Sequence, residues 1–205
     1  MMKRGSWVWL SCAALSLFAC GSSDDAGGNG VTNQSAFEGI YQLTAASENS
    51  ASCTTPGDSK LSQLRDQFFV ITGSELFGQK YVVLNSCSSV AGCQATRAAQ
   101  QANQAYQIEY TFTLSSSTNA TTLNGFYAGT GRGEGTQCIE RSYADHVLTL
   151  AADHSVHLES RSKNLADKPQ KDGFCWVDPA ESKQEAASKG CVSLEVLDGS
   201  FLQAN

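Results

Sequence analysis

The chain has 205 residues, a formal net charge of −6, 41% hydrophobic residues and 17% charged ones. That length predicts one domain, and an acidic chain with no basic run argues against gripping nucleic acid by its phosphates. Eight cysteines and eighteen glycines against three prolines point away from a cytosolic helical protein and toward a disulfide-bearing, β-rich one.

Lys3 and Arg4 precede an uncharged run from Gly5 to Ala19. The run is shorter than the roughly 20 apolar residues of a bilayer crossing, and its flanks suit an export leader. It ends Leu17-Phe18-Ala19-Cys20-Gly21. This resembles the lipobox of bacterial lipoproteins. The resemblance implies cleavage between Ala19 and Cys20, diacylglycerol on the Cys20 sulfur and acylation of the new N-terminus. Gly21, rather than Asp, after the anchor implies the outer membrane under the sorting rule of diderm bacteria. The polar Gly/Ser/Asp/Asn stretch that follows reads as a flexible tether. The expected organisation is a leader over 1–19, a lipidated tether over 20–35 and a single β-rich domain over 36–205.

Period-two alternation and short apolar runs then predict about eight strands. In chain order they fall near Gly39–Leu43, Phe68–Ile71, Tyr81–Leu84, Tyr106–Leu114, Thr121–Tyr127, Gln137–Leu150, Val156–Arg161 and Val192–Val196. Polar stretches such as Ser115–Asn119 and Ala151–Ser155 read as hairpin loops between them. Gly129–Gly135 superficially looks like a phosphate-binding loop, but it leads into a strand rather than a helix and reads as a mobile hairpin. Helices are few. A weak candidate starts at Asp58 with Leu61 and Leu64. Ala91, Ala95, Ala98, Ala99, Ala102 and Ala105 mark a stripe of small residues. Asp178-Pro179-Ala180-Glu181 sets a cap, an N1 proline and a capping-box acid for a helix over Pro179–Lys189. The fold class is therefore all-β with two or three short helices, an antiparallel meander closing fully or partly into a barrel. A membrane-spanning barrel also alternates, but these predicted strands are mostly shorter than its roughly 9 to 11 residues.

With Cys12 in the leader and Cys20 at the anchor, six cysteines remain: Cys53, Cys87, Cys93, Cys138, Cys175 and Cys191. An even number after export predicts three disulfides, for which fifteen pairings exist. Cys87 with Cys93 and Cys175 with Cys191 are the local pairs, leaving Cys53 with Cys138. No Cys-x-x-Cys spacing marks a zinc site, and no cofactor motif is present. His146, His154 and His157 are the catalytic suspects, yet His154 and His157 would point opposite ways on a strand. The three read as surface residues. Neither Gly-x-Ser-x-Gly nor His-Glu-x-x-His occurs, and the carboxylates look scattered.

Gly39-Ile40-Tyr41 on the first strand resembles the Gly-x-Trp of lipocalins, with Tyr in place of Trp; no Arg follows Arg161 to match the arginine lipocalins carry near the last strand. The resemblance implies a calycin-like barrel with Tyr106, Ile108, Tyr110 and Phe112 facing inward, as packed core or as the lining of an apolar cavity. The functional expectation is a membrane-anchored envelope lipoprotein that acts as a non-enzymatic binding or interaction module, its partner an envelope protein or a small apolar ligand. The alternatives are a lipocalin-like carrier of a small apolar molecule and an envelope hydrolase whose site carries no motif.

The anchor has a direct consequence. Cys20→Ser should move the protein from the membrane to the soluble fraction; if the variant still sediments with membranes through salt washes, the lipid is not what holds it.

Overall fold

The computed structural model describes residues 34–76, 79–102, 109–113 and 121–203. The leader, Cys20, the tether through residue 33, the loop over 115–119, and Tyr106 and Ile108 lie outside the described residues.

Eight strands form a closed antiparallel barrel: β1 (Gly39–Asn49), β2 (Phe68–Leu76), β3 (Gln79–Cys87), β4 (Tyr110–Thr113), β5 (Thr122–Gly129), β8 (Ser142–Leu150), β9 (Val156–Asn164) and β11 (Cys191–Gln203). Each pairs with the next in that order, and β11 returns to β1. The meander is thus complete, an architecture consistent with the calycin-like expectation. A smaller sheet, β6 (Arg132–Glu134), β7 (Gln137–Ile139) and β10 (Lys168–Pro169), is built from the connections. The barrel strands run longer than their sequence signals, up to 11 residues in β1 and 13 in β11. They reach the span of a transmembrane strand, but outward positions on β9 carry His157, Glu159, Arg161 and Lys163, the reverse of a lipid-facing wall.

Two expected elements are corrected. The stretch Gln137–Leu150 is not one strand: Glu140, with φ 57°, breaks it between β7 and β8. The glycine-rich stretch is a hairpin but not a loop throughout, because Arg132–Glu134 forms β6; Gly135 and Thr136 make the two-residue turn between β6 and β7, and Gly135 takes φ 57°, the left-handed conformation such turns require.

The long connections, β1–β2, β3–β4, β5–β8 and β9–β11, all emerge at one end of the barrel, called the upper end below. The chain enters at the opposite end. There a short 3-10 turn, Gln34–Ala36, leads into Phe37, whose ring joins the core and whose carbonyl accepts a 2.8 Å bond from the Tyr41 hydroxyl. Tyr41 stacks on Phe69 at 5.1 Å and meets the edge of Phe201. Gly39 has a steric reason: a Cβ there would lie 2.6 Å from the Phe201 ring. The Gly-x-Tyr motif therefore closes the lower barrel, with no side chain at the first position and a buried aromatic at the third.

Helix α1 (Val90–Gln101), capped by Ser89, covers the outer face of β2 and β3, where Thr72 Oγ1 donates to Gln100 Oε1 at 2.6 Å. Helix α2 (Pro179–Ala187) starts as its capping signals predict, with Asp178 accepting from the Glu181 amide at 3.0 Å. It packs through Ala186 beside Tyr143 and Leu165 on the outer wall of β8. The segment near Leu61 forms only a 3-10 turn, Leu61–Gln63. A buried guanidinium fastens α2: Arg141 Nη1 donates to the Ala166 carbonyl and, at 3.1 Å, to Glu185 Oε2, while Glu185 Oε1 accepts from the Ala166 amide at 2.6 Å. Burial pushes the Glu185 carboxyl up, but the Ala166 amide, Arg141 and Lys168 outweigh it and hold the group below its usual range.

The disulfides are Cys87–Cys93, as expected, and Cys53–Cys191 and Cys138–Cys175. The expected pairs Cys175–Cys191 and Cys53–Cys138 are not formed. Helix α2 stands between Cys175 and Cys191, and at about 1.5 Å per residue it carries them apart. Cys175 returns to β7 of the small sheet, whereas Cys191 opens β11 beside the β1–β2 connection that holds Cys53.

Candidate functional site

The ladders sort the barrel interior into rows. The lower rows are apolar. Ala46, Leu197, Leu158, Leu148 and Leu123 are successive cross-strand partners around the wall, and with Leu43, Ile71, Val82, Leu84 and Phe112 they form the main core. One step toward the upper end the character changes. Glu48, Glu195, Ser160, His146 and Gly125 are again successive partners, and Gly125 pairs with Phe112. A polar row therefore lies directly on an apolar one, inside the same barrel.

Tyr110 completes the arrangement. Its ring packs against the core, and its hydroxyl donates to Glu195 Oε2 at 2.6 Å. β4 and β11 are four strands apart in a ring of eight, so this bond spans the lumen from one wall to the opposite one. The Tyr110 ring also meets His146 edge-on at 5.0 Å. His146 Nδ1 lies 3.0 Å from Ser160 Oγ, and both residues are 4% exposed. Gly125, between His146 and Phe112, leaves room for the close approach of β4, since a Cβ there would meet the Thr111 carbonyl oxygen at 2.2 Å.

The electrostatics follow from burial and from the carboxylates. Burial pushes the Tyr110 hydroxyl far up, and Glu195, Glu109 and Glu48 push the same way, so Tyr110 stays a donor. Burial raises the Glu109 carboxyl as well, with Asp66 and Glu195 adding to it against the 2.5 Å bond from Ser86 Oγ. Glu48 is ion-paired with Lys60 at the rim. Burial lowers His146 to about 4, so its imidazole is neutral at physiological pH.

Of the residues expected to line the interior, Tyr110 and Phe112 do so; Tyr106 and Ile108 lie outside the described residues. Two expectations, a surface His146 and scattered carboxylates, are overturned. His146 is not a surface histidine, because its place on β8 puts it on the inward face, opposite Ser160. Cross-strand pairing also turns Glu195 and Leu197 inward, while Leu194 and Val196 are buried on the other face. Glu48, Glu109 and Glu195, scattered in sequence, converge on Tyr110. The Tyr106–Leu114 alternation was the one signal that pointed here.

A groove of about 370 Å³ lies on the outer wall across β1, β11, β9 and β8, with Thr44, Ser155, His157, Asp198 and Ser200 among its lining. His157 Nδ1 contacts Asp198 Oδ1 at 2.6 Å. A serine–histidine pair thus sits inside the barrel and a histidine–aspartate pair outside it. Among the described residues neither pair is joined by the third member of a Ser–His–Asp relay, and no cluster of three metal-ligating side chains occurs. Phe174 and Trp176, 64% and 61% exposed, flank the disulfide-bonded Cys175 and tilt against each other at 6.0 Å. The chain matches no protein-family model, no curated protein and no solved structure.

The depressed His146 sets a sign for stability against pH. Between 6.5 and about 4 the unfolded chain takes a proton that the folded one refuses, so stability present above 6.5 is lost as pH falls through that window, by up to roughly 3 kcal/mol. Urea unfolding at about pH 7 and about pH 5 should show His146→Gln losing less stability than the parent, by about 2 kcal/mol. Equal losses in both would place the imidazole in water.

Proposed function

We propose that this protein binds a small, largely apolar molecule in the upper half of its barrel, and that it does so as an envelope lipoprotein held by the lipid on Cys20. The observation that carries the binding reading is the polar row seated on the apolar one. Small-molecule sites combine a mostly apolar wall with a few convergent polar groups that fix orientation. Tyr110, Glu195, His146 and Ser160 are such groups, on four different strands, above a floor of leucines. A folded core alone gives no reason to place an imidazole and a serine hydroxyl more than nine-tenths buried inside a barrel that has apolar residues in the next row.

The upper end supports the same reading. All the long connections are there, and all three disulfides tie them. The tether joins at the opposite end, so a membrane anchor would leave the mouth unobstructed.

An apolar dye such as N-phenyl-1-naphthylamine should bind the purified, detergent-free protein saturably, one per barrel. Ser160→Phe, which fills the polar row, should weaken binding at least about tenfold with an unchanged circular dichroism spectrum. Phe174→Ser with Trp176→Ser should leave it intact. The reading fails if binding does not saturate, or if it survives Ser160→Phe and is lost with the surface aromatics.

A further inference from the structure

We propose that helix α1 is a hinged strap. Its first turn is fixed to the barrel, and its later turns lift off β2 and β3 while the barrel stays closed. The inference does not depend on the binding reading above.

The hinge is the best-held part of the helix. Cys87, the last residue of β3, is bonded to Cys93 in α1. Val90 and Cys93 pack with Ile40, Phe68, Val70 and Cys87 in one apolar cluster. Beyond that turn the helix buries nothing, since Cys93 is the one buried residue of its twelve. Ala95, Ala98 and Ala99 are small and bring little hydrocarbon to the contact. The far end is fastened by a polar latch, the 2.6 Å bond from Thr72 Oγ1 to Gln100 Oε1.

What lies beneath the strap is the second, independent observation. Val82 and Leu84 face the barrel core, so Val83, Asn85 and Cys87 face outward, on the side that α1 covers. Thr72 pairs with Val83, and Val70 with Asn85. Asn85 therefore sits midway between the Cys87 hinge and the Thr72 latch. It is 2% exposed, and neither its Oδ1 nor its Nδ2 has a hydrogen-bond partner among the described residues; Gln100 Nε2 has none either. Amide groups kept from water without a partner destabilise the state that buries them. The closed strap keeps three such atoms dry, and lifting the later turns returns all three to water. That motion uncovers Val83 but few other apolar groups, because the apolar cluster stays with the first turn. An opening that relieves unpaired polar atoms and exposes little hydrocarbon lies at the low end of local stabilities. α1 stands between β3 and β4 in the chain, so the device sits in the connection that leads to Tyr110.

Native-state hydrogen exchange, read residue by residue by NMR over low urea concentrations, tests this. Amides 96–102 should exchange through a shared opening with little urea dependence, whereas those of Val70, Ile71 and Leu84 should exchange only with global unfolding. Asn85→Leu removes the unpaired amide and should slow exchange over 96–102 at least about tenfold. Thr72→Val removes the latch and should speed it several-fold. Exchange of 96–102 together with the barrel strands in the parent would overturn the proposal, and this arm decides the question even where a variant does not fold. Exchange that Asn85→Leu leaves unchanged or speeds would overturn it as well, as ordinary end fraying or as an amide satisfied by a bound water.

Discussion

The hydrogen bond from Tyr110 to Glu195 organises the upper barrel. It joins opposite walls across the lumen, and it exists only because two strands present the right faces. On β4, Tyr110 and Phe112 alternate inward with Thr111 between them. On β11, cross-strand pairing with β9 sets Glu195 opposite Ser160, inside, rather than in solvent. A bond to a charged acceptor contributes about 1.5–3 kcal/mol, and here it also holds a carboxylate where an apolar residue would be the default. Below this bond the interior is continuous hydrocarbon; above it lies the end from which the long connections emerge.

The disulfides make sense around that bond. Cys53–Cys191 ties the β1–β2 connection to the first residue of β11, the strand that presents Glu195. Cys87–Cys93 fixes the start of α1, in the connection that leads to Tyr110. Cys138–Cys175 locks the small sheet, and the buried Arg141–Glu185 pair holds α2 beside it. The lower end needs no such staples, because Phe37, Tyr41, Phe69 and Phe201 close it by ring packing. Rigidity is thus concentrated at the end that carries polar groups inside, where hydrophobic burial contributes least.

The fold was largely legible in the sequence and the site was only half legible. Alternation at Val156–Arg161 and apolar runs at Phe68–Ile71 and Tyr81–Leu84 mark strands because their inward residues face hydrocarbon. The same rule misreads β11, where Val192, Leu194 and Val196 look like the core face. A side-chain period of two means that pairing register alone decides which set points in, and register is a long-range property. His146 and Ser160 were hidden for the same reason, since a polar residue on an inward face looks like any residue on an outward one. The cysteine pairing was open for a different reason: loop length favours near neighbours, but the helix between Cys175 and Cys191 fills the gap with a rigid element. The Gly39–Tyr41 motif was readable because its requirement is local, an absent side chain followed by a buried ring.

The central claim is that the polar row inside the barrel, and not the outer groove or the exposed aromatics, receives a ligand. Amide chemical-shift mapping of the isotope-labelled protein with a bound twelve-carbon amphiphile tests it most directly. The largest perturbations are expected at Tyr110, Gly125, His146, Ser160 and Glu195. Perturbations confined to Thr44, His157 and Asp198, or to Phe174 and Trp176, would contradict it.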